Sequence, residues 1–294
     1  MNNFLRALIL SVFILMVGCK KTAFVDYGEQ YKKTLYIVNS KDFFYTKDHN
    51  YSVNEDTLIV SVYCASSQAI KEDVEVKLAF NFNKFDSVNN TRAEHDKQYE
   101  LRSLLPESNY MKPDMSVVIK AGQQYGLLKV PLKLLELSPE ERYVLPFSII
   151  SNNAGYEVNE KLNSLFYELN MVNSYSGLYY GTSKKDQNAS NTISVDLKAL
   201  SNNEIRMPIH NLPSAKEDLA TNYMRLVIVD SDDPEVKSVK IYPWADATVI
   251  DSGNSTFNVK EQRFNLYYSY EVDGERYDVV AEITNSLVAR EKKD

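Results

Sequence analysis

In 294 residues the chain has two cysteines, three histidines and one tryptophan, and its nine glycines are scattered. Each scarcity excludes a kind of chemistry. The glycines never fall into the phosphate-cradling spacings of a dinucleotide fold or a P-loop, and no pair of histidines or cysteines stands at metal-ligand spacing. The Gly-x-Ser-x-Gly elbow of serine hydrolases is absent. The longest apolar run, Ala7 to Val17, falls well short of the ~20 residues a membrane-spanning helix needs. Positive charge is sparse too. Against 40 acidic residues stand 33 lysines and arginines, a net charge of -7 with no basic block, so nucleic acid finds no cationic face here. No metal and no cofactor is expected.

What is present begins with an address label. A lone Arg6, the apolar run Ala7 to Val17, and then Gly18 and Cys19 form the pattern of a signal peptide over residues 1–18. Met16-Val17-Gly18-Cys19 resembles the lipobox of bacterial lipoproteins, which implies an acylated Cys19 at the mature N-terminus. Several acyl chains on one cysteine anchor a protein stably, so the membrane contact is assigned to the lipid. Residues 19–33 lack a hydrophobic period and read as a tether with a reach of roughly 20 Å. Cys64, at the end of the strand-like run Leu58 to Cys64, is then left without a disulfide partner and is expected to act as a small buried hydrophobe.

The rest reads as all-β. Strand-like runs rich in β-branched and aromatic residues occur at Thr34 to Val38, Thr57 to Cys64, Asp73 to Phe82, Ser116 to Lys120, Tyr125 to Leu132, Arg142 to Ile150 and Leu165 to Val172. Asp86 to Leu105 is the one helical interval, and its apolar stripe is poor. After the Tyr-Gly-rich opening Asn173 to Thr182, further runs occupy Thr192 to Leu197, Glu204 to Ile209, Arg225 to Val229, Val236 to Ile241, Ala247 to Ile250 and Thr256 to Val259. Glycines inside that opening predict a bulge or close backbone approach. Asp273-Gly274 predicts a type I′ turn, and its register sets Val272 against Glu275, Tyr270 against Tyr277, Tyr268 against Val279 and Leu266 against Ala281.

Three motifs in order carry a family resemblance: Leu104 to Tyr110, Val117 to Gln123 and Glu141 to Ile149. With the Tyr-Gly opening and the aromatic final hairpin, they resemble Bacteroidetes lipoproteins encoded with Sus-type glycan-uptake systems, built from domain-of-unknown-function family 1735 followed by family 4361. The resemblance implies an immunoglobulin-like β-sandwich at residues 34–172. An antiparallel β-domain, in one form a small lipocalin-like barrel, would follow at residues 173–294. It also implies a non-catalytic role, a polysaccharide or oligosaccharide ligand, and a SusC/SusD-like transporter as partner. Such a protein sits on the outer membrane, facing the cell surface. Lys20-Lys21-Thr22-Ala23 lacks the acidic residues that often mark export to that face, which leaves the periplasmic side open.

The candidate ligand residues follow from what sugar recognition requires. A sugar has apolar CH faces and hydroxyl edges, so its site needs flat aromatics beside polar groups. Trp244, the single tryptophan, follows Pro243 and stands where a strand must end; it is either an exposed platform or a plug in the C-terminal core. Tyr242 and the acceptor Asp246 accompany it. Tyr179 and Tyr180 are adjacent and therefore point to opposite faces of a strand, so at most one faces ligand. Asp230 to Asp233 lacks the glycine and distal glutamate of a calcium loop and reads as a solvated turn. A glycosidase needs only two carboxylates across a cleft. A structural subunit or adhesin of the envelope is the alternative from another class.

Overall fold

The structure is a computed structural model that describes residues 31–51, 55–134 and 136–287. The signal-like stretch and Cys19 lie outside the described residues. Within them no helix is long and apolar enough to cross a membrane. Two β-units follow one another.

The first is a two-sheet sandwich. One sheet orders its strands β7 (Tyr125–Lys133), β3 (Glu55–Ala65), β1 (Thr34–Ile37) and β9 (Glu157–Val158). The other runs β2 (Phe44–Asn50), β10 (Ser164–Val172), β8 (Tyr143–Asn152), β4 (Val74–Phe80) and β6 (Ser116–Ile119), with β5 (Ser103–Leu104) beside β8. Strict alternation builds it. Along β7 exposed and buried residues alternate throughout, and the inward members Leu128, Val130 and Leu132 join Leu35, Val60, Phe147 and Tyr167 in one core. Cys64 is fully buried in that core, as expected.

A strand and the helix depart most from the sequence reading. Strand β2, Phe-Tyr-Thr-Lys-Asp-His-Asn, has no strand-like pattern of its own; it forms because β10 pairs with it in parallel from Phe44–Phe166 to Asn50–Val172. The helix α1 spans Phe82–His95, starting earlier than the predicted interval and stopping within it. Asn81 sets its start by accepting the Lys84 backbone N–H at 3.1 Å. The poor apolar stripe is real. Only Phe85 is a buried apolar residue on α1, edge-on to Phe166 with centroids 5.5 Å apart.

The second unit is a closed barrel of eight antiparallel strands. They are β11 (Gly177–Lys185), β12 (Asn191–Ala199), β13 (Glu204–Pro208), β14 (Tyr223–Val229), β15 (Val236–Pro243), β17 (Thr256–Asn258), β18 (Arg263–Val272) and β19 (Glu275–Asn285), each beside its neighbour in the chain. Strand β16 (Val249–Asp251) lies outside the ring on β18, and the pairing of β19 with β11 closes it. Full closure removes the edges that an open sheet would expose. Tyr179, Met207, Leu226, Phe264, Tyr268 and Ile283 fill the interior, which is therefore a packed core. The final hairpin has the predicted register, and both Asp273 (φ 54°) and Gly274 (φ 78°) take the left-handed conformation that a type I′ turn demands.

One buried polar network seals the barrel wall. The His210 backbone N–H donates to the Tyr268 hydroxyl at 2.9 Å, and its ring Nδ1 lies 2.6 Å from Ser183 Oγ. Burial, with Lys185 nearby, holds the imidazole below its ordinary pKa, so the folded state binds its proton less readily than the unfolded chain. Stability from this group is fully present above the unfolded value, about 6.5, and is lost as pH falls through the folded one. His210→Asn, which tolerates the positive φ at this position, should flatten the decline of the melting temperature between pH 7 and 5. An unchanged slope would remove His210 from the account.

Candidate functional site

On β13, Ile205 and Met207 point into the barrel, so Arg206 points out, yet only 4% of it is exposed. Three groups cover it. Its guanidinium lies 4.7 Å from the Tyr223 ring centroid and 5.4 Å from that of Trp244, and it pairs with Glu140 from the sandwich. Burial pushes its pKa below the ordinary value, and its Nε has no hydrogen-bond partner among the described residues. The sheet register then lays a row across the outer wall: Arg206 opposite Arg225, and Arg225 opposite Tyr242, whose ring Arg225 overlies at 5.0 Å.

Trp244 continues that surface. It follows the last residue of β15, its N–H donates to the Tyr223 carbonyl at 3.3 Å, and Ala245 (φ 47°) turns the chain so that the Ala247 N–H returns to the Trp244 carbonyl at 2.9 Å. The ring is half-buried and takes no part in the interior cluster. It is thus a half-exposed outer-wall side chain braced by Arg206, and not a plug in the core. Tyr242 is 43% exposed, and Asp246 is exposed two residues beyond Trp244. These three candidates are brought together.

The adjacent tyrosines are not part of this surface. Tyr179 is fully buried against Phe264 at 5.5 Å, which removes it from the ligand candidates: its position on β11 faces inward. Tyr180 faces out and is 41% exposed, but β11 lies across the eight-strand ring from β15. Closure of the ring separates what composition had grouped.

Beneath Arg206 a polar cleft of about 500 Å³ opens between barrel and sandwich. The two units touch there, since Ala199 of β12 is buried in the sandwich core cluster. Glu168 of β10, 3% exposed, stands at the cleft's base and accepts from Arg142 Nε at 2.8 Å and Arg102 Nε at 3.1 Å. Arg102 is held in turn by the Tyr99 ring at 4.2 Å and the Phe44 ring at 4.9 Å. None of Arg102, Glu140, Arg142, Glu168 and Arg206 was marked by the sequence. Apart from Glu140 and Arg142 they stand far apart in the chain with no recurring spacing, and an arginine between Ile205 and Met207 reads as an ordinary solvated strand position.

Guanidinium and carboxylate groups beside flat rings can hydrogen-bond hydroxyls while the rings cover apolar CH faces. Among the described residues no group of three or more His, Cys, Asp or Glu side chains is set to hold a metal. Asp230 to Asp233 are exposed, with Asp230 paired to Lys237 at 2.7 Å and Asp233 accepting the Glu235 N–H at 2.9 Å.

Residues 31–157 match the family model of an N-terminal domain, and residues 163–287 match that of the corresponding C-terminal domain. The chain belongs to this two-domain family. A Bacteroides ovatus multidomain protein including DUF1735 is similar over 87% of this chain and 94% of its own, with 18% identity and a TM-score of 0.60. Another B. ovatus protein of unknown function is similar over 85% and 94%, at 17% identity and the same TM-score. An auxiliary nutrient binding protein from Bacteroides thetaiotaomicron is similar over 84% and 92%, with 16% identity and a TM-score of 0.56. At these identities the likeness is one of fold. No curated protein matches the chain.

Proposed function

We propose that this family member is a non-catalytic glycan-binding accessory of a Sus-type uptake system, anchored to the outer membrane through Cys19 and partnered with a SusC/SusD-like transporter. The observation that carries this reading is the pairing of Tyr242 and Trp244 on the outside of a barrel whose interior is filled, with Asp246 beside them and an arginine against each ring. Bracing by Arg206 and Arg225 limits ring motion, so less rotamer freedom is lost when a sugar stacks. The nutrient-binding description of the B. thetaiotaomicron relative supports the same class of role.

Native gels cast with a panel of polysaccharides test it, using the protein from Lys20 onward. Trp244→Ala and Tyr242→Ala should each weaken retardation roughly tenfold, the effect of losing about 1.4 kcal/mol of aromatic contact. Melting curves guard against misfolding of the Trp244 variant, while Tyr242, being exposed, is removed without disturbing Arg206. Retention of full retardation by both variants would overturn the site.

A further inference from the structure

A second surface lies on the sandwich, on the outer face of the sheet β7–β3–β1. The register sets Tyr36 opposite Tyr63 and Tyr63 opposite Tyr125, so three tyrosines stand side by side on three neighbouring strands. Their neighbours in the chain, Leu35, Val62, Cys64 and Gly126, point inward and are buried. The Tyr36 and Tyr63 ring centroids are 5.3 Å apart with planes at 41°, the Tyr63 hydroxyl donates to Gln124 Oε1 at 2.9 Å, and Tyr125 is 53% exposed.

We propose that this tyrosine ladder is a second saccharide surface that accepts an extended, uncharged glycan chain; the proposal rests on the glycan reading above. Strands repeat at about 4.8 Å, close to the length of one pyranose unit, so successive rings meet successive sugars of a chain laid across the strands. Each ring offers an apolar face to CH groups and a hydroxyl at its rim. Charge selects the occupant. The ladder carries no charged side chain, and the charges beside it, Lys32 and the Glu157 that stands opposite Thr34, are paired with each other at 2.5 Å. A polyanion therefore gains no ion pair on it. A second copy of this chain would bring the same net charge of -7 and no basic face to match. Beside the ladder an open hollow of about 610 Å³, bounded by Tyr31, Lys32, Thr34, Ala65, Ser66 and Ser67, has room for a branch or a chain end.

The test compares wild type, Tyr125→Thr, the double variant Tyr63→Thr/Tyr125→Thr and Trp244→Ala, all from Lys20 onward. Threonine keeps strand propensity at the replaced positions. Gels contain neutral xyloglucan, β-mannan or arabinoxylan, with polygalacturonate as the acidic counterpart. Retardation by a neutral polymer should fall about fivefold in the double variant and about twofold in Tyr125→Thr, with unchanged melting temperatures. A double variant retarded like wild type, while Trp244→Ala is not, overturns the ladder and leaves the barrel site standing. Loss in the double variant alone keeps the ladder and, where Tyr242→Ala is also retarded like wild type, overturns the barrel site. Retardation of wild type only by polygalacturonate overturns the uncharged ligand, and no retardation on any gel overturns both surfaces.

Discussion

Gly181→Ala is expected to destabilise the barrel by roughly 3 kcal/mol, the upper end of the usual cost of overpacking. Gly181 lies in β11, opposite Ile193 on one side and Ile283 on the other, where the last strand meets the first. A Cβ there would stand 1.9 Å from the Glu282 carbonyl oxygen and 2.7 Å from the Ile283 Cα. Both obstructing atoms are backbone, so no side-chain rotation relieves the contact and two strands must part. The alanine also restricts the unfolded chain, which favours folding by about 0.4–1 kcal/mol; the clash is larger and decides the sign. Trp244 is the single tryptophan and stands on the barrel wall, so its fluorescence during urea unfolding reports this unit. A midpoint at or above that of wild type would show that β11 and β19 separate without cost.

The second large effect concerns Glu168. Its carboxylate compensates Arg102, whose side chain is 10% exposed, and Arg142, whose side chain is 40% exposed. Glu168→Ala removes the only acceptor in the ion pairs described for Arg102 while leaving the guanidinium confined against Tyr99 and Phe44. Breaking a buried pair from one side typically costs about 3–5 kcal/mol, because a largely buried charge is left without its counter-ion. Arg142→Ala should cost much less, since solvent screens its more exposed group. Glu168→Leu combined with Arg102→Met, which removes both charges, should recover most of the loss. Thermal unfolding of the three proteins checks the order; a Glu168→Ala protein that melts like wild type would mean the pair contributes little to folding.

Most of the strands were legible because their physics is local. Along β7 every second residue is inward and apolar, and such alternation survives in any context that buries one face. The last hairpin was legible to the residue pair, because Asp273-Gly274 admits few turns and the turn sets the register. The β2 strand was not legible, since Lys47, Asp48 and Asn50 are exposed on it and its partner β10 supplies the order. The helix was half legible: its cap at Asn81 and its single anchor, Phe85, leave little periodic signal.

The same division runs through the functional residues. The sequence alone identified the all-β character and a tryptophan at a strand end, since each depends on residue types within short stretches. It also established that Tyr179 and Tyr180 face opposite ways, because side chains alternate along a strand. Which of the two is buried depended on the direction in which the barrel closed. Only tertiary structure covered Arg206 with Glu140, Tyr223 and Trp244, gathered two arginines around Glu168, and aligned Tyr36, Tyr63 and Tyr125 across three strands. Those residues meet through sheet register and the packing of one unit on the other. Both arise from burying many apolar side chains at once, and no local pattern around a single arginine or tyrosine records the outcome.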